Sequence, residues 1–189
     1  MSAEPLTVVL IGPGGVGKGT LARAISQRDP RLTLSRSWTT RAPRESEDGS
    51  EYVFVSPDEF RRAIADERFL EWAEFQGSLY GTPHPDDGSH DTLLEIEVQG
   101  AAQVLEQRPD AVVVLVMPPS NSALESRLRA RGDDESHVAR RLASTPAEVA
   151  RGRELAAYVV INDDAERAAR EILSILEGLR RRRGAPAKD

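Results

Sequence analysis

Apolar residues come in two rhythms along this chain. Short runs rich in β-branched residues recur at Thr7 to Ile11, Leu93 to Glu97, Ala111 to Met117 and Tyr158 to Ile161. This is the pattern of strands buried on both faces in a parallel sheet. Between them, apolar positions at helical spacing predict helices from Thr20 to Gln27, from Gly100 onward, over Asn121 to Arg131, His137 to Leu142 and Ala165 to Arg181. Pro118-Pro119 stops the third strand and Ser120 caps the helix after it. Thr145-Pro146-Ala147-Glu148 reads either as a new helix start or as a kink in one long helix. Strands alternating with helices predict an α/β fold of three layers, a parallel sheet covered on both faces.

The rhythm breaks between residues 36 and 91, where charges, turn residues and aromatics replace the buried-strand pattern. Tyr52 to Val55 predicts a strand there, and Ser56-Pro57-Asp58-Glu59 a helix start with proline in the first turn and a capping box. Phe60, Ile64 and Phe69 supply an inward face. The expected organisation is one globular unit: a core of residues 1–35 and 92–189, a helical lid at about 127–145, and a substrate-binding insertion of residues 36–91.

The chemistry begins directly after the first strand. Gly12-Pro13-Gly14-Gly15-Val16-Gly17-Lys18-Gly19-Thr20 follows the P-loop spacing. Glycines let a turn present consecutive backbone N–H groups, and the next helix aims its unpaired donors and partial positive charge at the same point. Lys18 adds a cation for the β- and γ-phosphates. The hydroxyl expected immediately after the lysine stands one place later, at Thr20, so a Mg²⁺ ion would rely more on phosphates, water and an acidic strand end.

Composition narrows the classes. A hydrophobic fraction of 39% with 30% charged residues fits neither a membrane protein nor a disordered chain. Cysteine is absent, which excludes disulfides and thiolate chemistry. A formal net charge of −6 argues against general nucleic-acid affinity, and no apolar run approaches a bilayer span. The N-terminus lacks a basic region followed by an apolar stretch, so a cytoplasmic location is expected. Arg180 to Arg183 would either touch an acidic partner or simply end a helix with cations before a frayed tail. His84 and His90, beside Asp86, Asp87 and Asp91, lie in a proline- and glycine-rich loop that presets no ligand geometry, so no metal site is expected there.

Several stretches, in order, resemble guanylate kinases: the P-loop, Ser37-Trp38-Thr39-Thr40-Arg41-Ala42-Pro43-Arg44, Tyr52-Val53-Phe54-Val55, Phe69-Leu70-Glu71-Trp72 and Tyr80-Gly81-Thr82. They continue with Leu94-Glu95-Ile96-Glu97-Val98-Gln99-Gly100, Pro118-Pro119-Ser120, Arg131-Gly132, Arg140-Arg141-Leu142 and Val160-Ile161-Asn162-Asp163-Asp164. The resemblance implies a P-loop NTPase-type fold with a GMP-binding insertion and a helical lid. It implies transfer of the γ-phosphoryl of ATP to GMP, and to dGMP, with Mg²⁺, by direct in-line attack. Because the acceptor is already an oxyanion, catalysis would be alignment and charge neutralisation.

Carried over residue by residue, the resemblance places Gly12 to Thr20 and Asn162 at ATP. It places Arg41, Arg44, Tyr52 and Tyr80 at the GMP phosphate, and Ser37, Glu71, Thr82 and Glu97 around guanine. Lys18, Arg41, Arg131 and Arg141 would be catalytic, with Thr20 and Glu97 toward the metal, directly or through water. Taken alone, Arg131 and Arg141 read first as helix-surface charges, and Asn162 equally as a turn residue after a strand. Glu97 stands where the family usually has aspartate. The segment from Pro83 to Asp91 is short and full of helix breakers, so the helix usual there in the family is expected to be missing. Two other readings stay open: an interaction module of the same fold without chemistry, and a kinase for a phosphorylated ribose compound. Lys18, Arg41 and Arg44 speak against the first; Ser37, Glu71 and Thr82 against the second. A monomer or a homodimer fits equally.

Overall fold

The computed structural model describes residues 4–43, 52–75, 77–85 and 90–184. Arg44, assigned above to the GMP phosphate, lies outside them, as do Asp86 and Asp87 in the short segment before Asp91. Nine strands and six helices are described: β1 (Thr7–Ile11), α1 (Lys18–Arg28), β2 (Leu32–Leu34), β3 (Ser37–Thr39), β4 (Tyr52–Phe54), α2 (Pro57–Ala65), β5 (Phe69–Phe75) and β6 (Ser78–Pro83). The chain continues with β7 (Asp91–Glu95), α3 (Val98–Gln107), β8 (Val112–Met117), α4 (Asn121–Ala130), α5 (Glu135–Leu155), β9 (Tyr158–Ile161) and α6 (Ala165–Gly184).

The first sheet has the order β2-β7-β1-β8-β9, and every pairing in it is parallel. Successive residues of a strand face opposite sides, so β1 feeds two cores. Val8 and Leu10 pack with Leu21 and Ile25 of α1 and Ile172 and Leu176 of α6. Val9 and Ile11 pack on the other face with Val98, Ala101 and Val104 of α3. At roughly 25 cal/mol per Å², this two-sided burial dominates the stability of the frame that holds the loop after β1.

The second sheet, order β4-β3-β6-β5, is built within the residues 36–91 segment. Its small core of Phe60, Ala63 and Phe69 includes a stacked Phe60–Phe69 pair with centroids 4.6 Å apart. The capping box of α2 forms as its sequence predicts: Glu59 N–H donates to Ser56 Oγ at 3.2 Å, and Ser56 N–H to Glu59 Oε2 at 2.9 Å. The β5–β6 hairpin and β3, by contrast, carry no strand pattern that the periodicity revealed. Their residues satisfy a half-covered mixed sheet, in which β3 pairs parallel with β4 and antiparallel with β6, rather than a buried parallel one.

Three boundaries move. The strand expected over Leu93 to Glu97 spans Asp91–Glu95, which leaves Glu97 as the N-cap of α3. Residues 135–155 form one helix with Pro146 inside it, so the second half of the segment expected to be a lid belongs to a helix that packs on the core. The C-terminal arginines do not trail into a tail: Arg180 pairs with Asp29 and Asp91, and Arg183 donates to the Glu4 and Pro5 carbonyls at 3.2 and 3.1 Å. They tie the last helix to the N-terminal ends of the sheet strands.

Candidate active site

Parallel strands place their C-terminal ends side by side, and the loop after β1 sits there. Lys18 is buried and donates from Nζ to the Gly12 carbonyl at 2.7 Å, curling back over the loop, with Glu97 Oε1 at 3.7 Å. Gly12 has φ of +148°, and a Cβ there would overlap the carbonyl oxygen of Val116 in β8. Only glycine lets the loop start that close to the neighbouring strand. The loop's far side is pinned through one carbonyl: Val16 O accepts from Asn162 Nδ2 at 2.8 Å and from Arg127 Nη1 at 3.1 Å, while Arg127 Nη2 donates to Asn162 O at 2.8 Å. Asn162 is buried and sits under the P-loop, more than a turn residue requires. Arg127 carries no signal of its own beside Arg129 and Arg131; only the fold brings it to Val16.

The carboxylate nearest the helix start is Glu95, at the end of β7. A Cβ on Gly19 would lie 3.2 Å from Glu95 Oε2, so the residue after the lysine faces a carboxylate instead of offering a hydroxyl. Burial pushes the Glu95 carboxyl up, Lys18 and Arg23 pull it down, and Glu97 pushes it up again. Sequence reading assigned the strand-end role to Glu97; two carboxylates two residues apart cannot be ranked until the strand's end is known. Thr20 is exposed on the first turn of α1.

Across the cleft, the second sheet gathers Ser37, Glu71 and Thr82. Thr82 Oγ1 donates to Glu71 Oε1 at 2.6 Å, and the Ser37 and Thr82 hydroxyls are 3.4 Å apart. Glu71 is 5% exposed. Burial raises its carboxyl above the ordinary range, hydrogen bonds from Thr82 oppose this, and Glu97 adds to it. Glu71 reaches α3 of the core as well: a Cβ on Gly100 would overlap its Oε2, so Gly100 makes room for the carboxylate between the two sheets. Gly100 was quoted above only as part of a motif.

Tyr52 and Tyr80 meet edge to face with centroids 6.2 Å apart, and the Arg41 guanidinium lies 5.5 Å from the Tyr52 ring centre. Arg41 also donates to the Ala42 carbonyl at 2.6 Å. Burial, then Glu95, holds the Tyr52 hydroxyl up at about 12, which keeps it a neutral donor. Gly19, Arg23, Ser35, Ser37, Tyr52 and Glu95 line one small pocket, so Tyr52 stands between the P-loop side and the second sheet.

From α5, Arg141 reaches the loop itself: a Cβ on Gly14 would sit 2.8 Å from its Cζ. Arg131 is turned to Asp133, at 3.2 Å. The structure thus brings Lys18, Asn162, Glu97 and Arg141 to the P-loop and Ser37, Glu71 and Thr82 to a second cluster, with Arg41, Tyr52 and Tyr80 in a third.

The guanylate kinase family model matches residues 4–179. The chain belongs to the guanylate kinase family. It is 46% identical over 181 residues to the guanylate kinase of Bordetella pertussis, covering 92% of this chain and 84% of that protein. To that of Thermosynechococcus vestitus it is 48% identical over 168 residues, covering 85% and 87%. The solved guanylate kinase of Anaplasma phagocytophilum superposes with a TM-score of 0.77 at 31% identity, covering 95% of this chain and 88% of that one. A gluconokinase from Sinorhizobium meliloti shares only the fold, at 16% identity and a TM-score of 0.52.

Proposed function

We infer that this guanylate kinase family member transfers the γ-phosphoryl group of ATP to GMP, giving ADP and GDP, and that dGMP serves as a second acceptor. The observation that carries the acceptor is the buried Glu71 carboxylate, fixed by Thr82 and backed by Gly100. A buried anionic acceptor suits a base edge that offers two N–H donors, as guanine does at N1 and N2. Adenine would leave it unpaired, at a cost of about 1–3 kcal/mol or more. A phosphate-bearing sugar without a base would have no use for it.

In this reading the P-loop backbone and Lys18 cradle the ATP phosphates, and Asn162 supports the loop near the nucleoside. Arg41, Tyr52 and Tyr80 hold the GMP phosphate, joined by Arg44. Guanidinium forks match phosphate oxygens, and neutral phenols add donors without charge. Arg131 and Arg141 bring positive charge from the lid, neutralising what accumulates on the transferring group. Residues 127–145 are proposed to move as that lid and residues 36–91 as the acceptor unit.

Glu95, Glu97 and Thr20 offer hard oxygen donors of the kind Mg²⁺ takes. The partly enclosed Glu95, whose burial disfavours its own charge, is an acceptor that a cation would stabilise. These residues would hold the ion, through water where they do not reach it. Bound with ATP, Mg²⁺ would supply charge neutralisation at the phosphates. A cytoplasmic enzyme, monomeric or homodimeric, fits this role; none of the described helices is long and apolar enough to cross a membrane.

The test is ADP release with ATP and Mg²⁺, offering GMP, dGMP, AMP, UMP and ribose 5-phosphate separately. Turnover restricted to GMP and dGMP is expected. Turnover with the sugar phosphate, or with none in a protein that melts cooperatively, would overturn the assignment.

A further inference from the structure

The turn between α4 and α5 carries a chain of polar contacts that the assigned site residues do not explain. Asp133, His137 and Arg141 follow one another at i, i+4 and i+8, so they share one face of α5 and its lead-in. Asp133 is the first link. Its carboxylate receives Arg131 Nη2 at 3.3 Å on Oδ1, with Oδ2 at 3.2 Å from the same nitrogen, and Oδ2 stands 3.9 Å from His137 Nε2. His137 Nε2 then accepts from Arg141 Nε at 3.4 Å. Arg141 in turn lies on the P-loop, its Cζ and Nη1 each 2.8 Å from where a Gly14 Cβ would be.

Neither middle residue is a solvated surface group. The Asp133 and His137 side chains are 15% and 17% exposed, whereas Arg131 is 44% exposed. Oδ2 of Asp133 is buried and makes no well-directed hydrogen bond; it faces the Arg131 guanidinium as an ion pair, with the imidazole at 3.9 Å. An aspartate with no role beyond the helix entrance would instead turn outward to water, where both oxygens are readily solvated. The helix does not need it: the N-cap of α5 is the next residue, Asp134, which accepts from His137 N–H at 2.9 Å.

If both arginines converge on the donor phosphates, as the proposed function has it, their charges repel each other, and each has a long side chain whose freedom must be lost to act. Asp133 offsets one charge, and His137 Nε2 accepts from the other guanidinium's Nε, with its Nη1 on the loop. We infer that Asp133 and His137 are positioning residues for phosphoryl transfer, holding Arg131 and Arg141 so that both guanidiniums meet the donor phosphates already oriented. This rests on the reading of Arg131 and Arg141 as phosphate-contacting residues. The two carriers act through the arginines and touch no substrate.

The experiment is steady-state kinetics with ATP, Mg²⁺ and GMP on His137→Leu, His137→Gln and Asp133→Asn, each alone and with Arg141→Ala or Arg131→Ala, beside melting temperatures. His137→Leu should lower kcat about tenfold while KM for GMP stays within about twofold. His137→Gln, which returns an acceptor oxygen, should recover kcat to within about threefold of the parent. In the Arg141→Ala background His137→Leu should add no further loss, because its partner is gone. Asp133→Asn should behave in the same way toward Arg131→Ala, so the inference stays testable if His137→Leu does not fold. Equal losses in the single and double backgrounds, or an effect on KM or melting alone, would overturn it. A large loss in Arg141→Ala with none in His137→Leu would overturn it while leaving the arginine reading intact. Full activity in both arginine variants, or no GMP turnover by the parent protein, would overturn the arginine reading and this inference together.

Discussion

Replacing Glu71 by glutamine separates what the carboxylate does for the fold from what it does for the substrate. The side chain is 5% exposed, and its charge is disfavoured by burial first and by Glu97 as well. Its folded-state pKa is raised above the ordinary 4.5, so the folded chain holds this proton more tightly than the unfolded chain does. Stability from this group is therefore fully present below the unfolded value and lost as pH rises through the folded one. Above the unfolded value Glu71 is therefore a burden on the fold, and glutamine removes it while keeping an oxygen for Thr82.

For the substrate the signs reverse. One of two acceptor oxygens becomes a donor, which loses a charge-assisted hydrogen bond of about 1.5–3 kcal/mol and leaves opposed donors costing about 1–3 kcal/mol more. The sum, about 2.5–6 kcal/mol, corresponds to a fall of roughly 10²–10⁴ in kcat/KM for GMP. Coupled ADP release and differential scanning calorimetry on the same preparation would read both. The expected result is that drop in kcat/KM with a melting temperature equal to or above the parent's, the gap widening as pH rises above the unfolded value of 4.5. Each 1 kcal/mol of relief is worth about 2–4 °C in a chain of this size. A melting temperature that falls along with activity, or a kcat/KM within about tenfold of the parent, would refute the reasoning.

Gly100→Ala tests the same pocket from the helix side: the new methyl overlaps Glu71 Oε2, so KM for GMP should rise at least about tenfold while KM for ATP holds, as measured by varying each substrate. Arg127→Ala removes two donors from the Val16 and Asn162 carbonyls. It should raise KM for ATP about tenfold and leave GMP nearly untouched; an equal change in both would point to general loosening. Arg180→Ala leaves the buried Asp29 short of a partner and should cost about 3 kcal/mol or more in chemical denaturation. Burial alone would push the Asp29 carboxyl up, but Arg31 and Arg180 hold it at about 2 against an ordinary 3.8. Its contribution is thus present above 3.8 and lost as pH falls toward 2, so the gap between parent and variant should close in that acid window.

The all-parallel core was legible because its cause is local. A strand buried on both faces has no polar side to show, and β1, β8 and β9 announce themselves within a residue of their ends. The P-loop was legible for the same reason: its function needs glycines and a lysine at fixed separations along a few residues. The insertion was less so. β3, β5 and β6 are held by cross-strand partners and by Phe60 and Phe69 beneath them, and half-exposed strands of mixed composition carry little periodicity.

What the sequence by itself determined, then, is the parallel α/β frame, the phosphate loop after β1, and through the ordered motifs the family. Hydrophobic period and glycine spacing act over a few residues, and such short-range constraints are written directly in the chain. Only the tertiary structure decided that β7 ends at Glu95 and so puts that carboxylate beside Gly19, that Arg127 and Asn162 close on the same carbonyl, and that Gly100 leaves room for Glu71. Each of these joins residues from separate elements. Their meeting depends on register and packing, which arise from the whole set of burial contacts acting together.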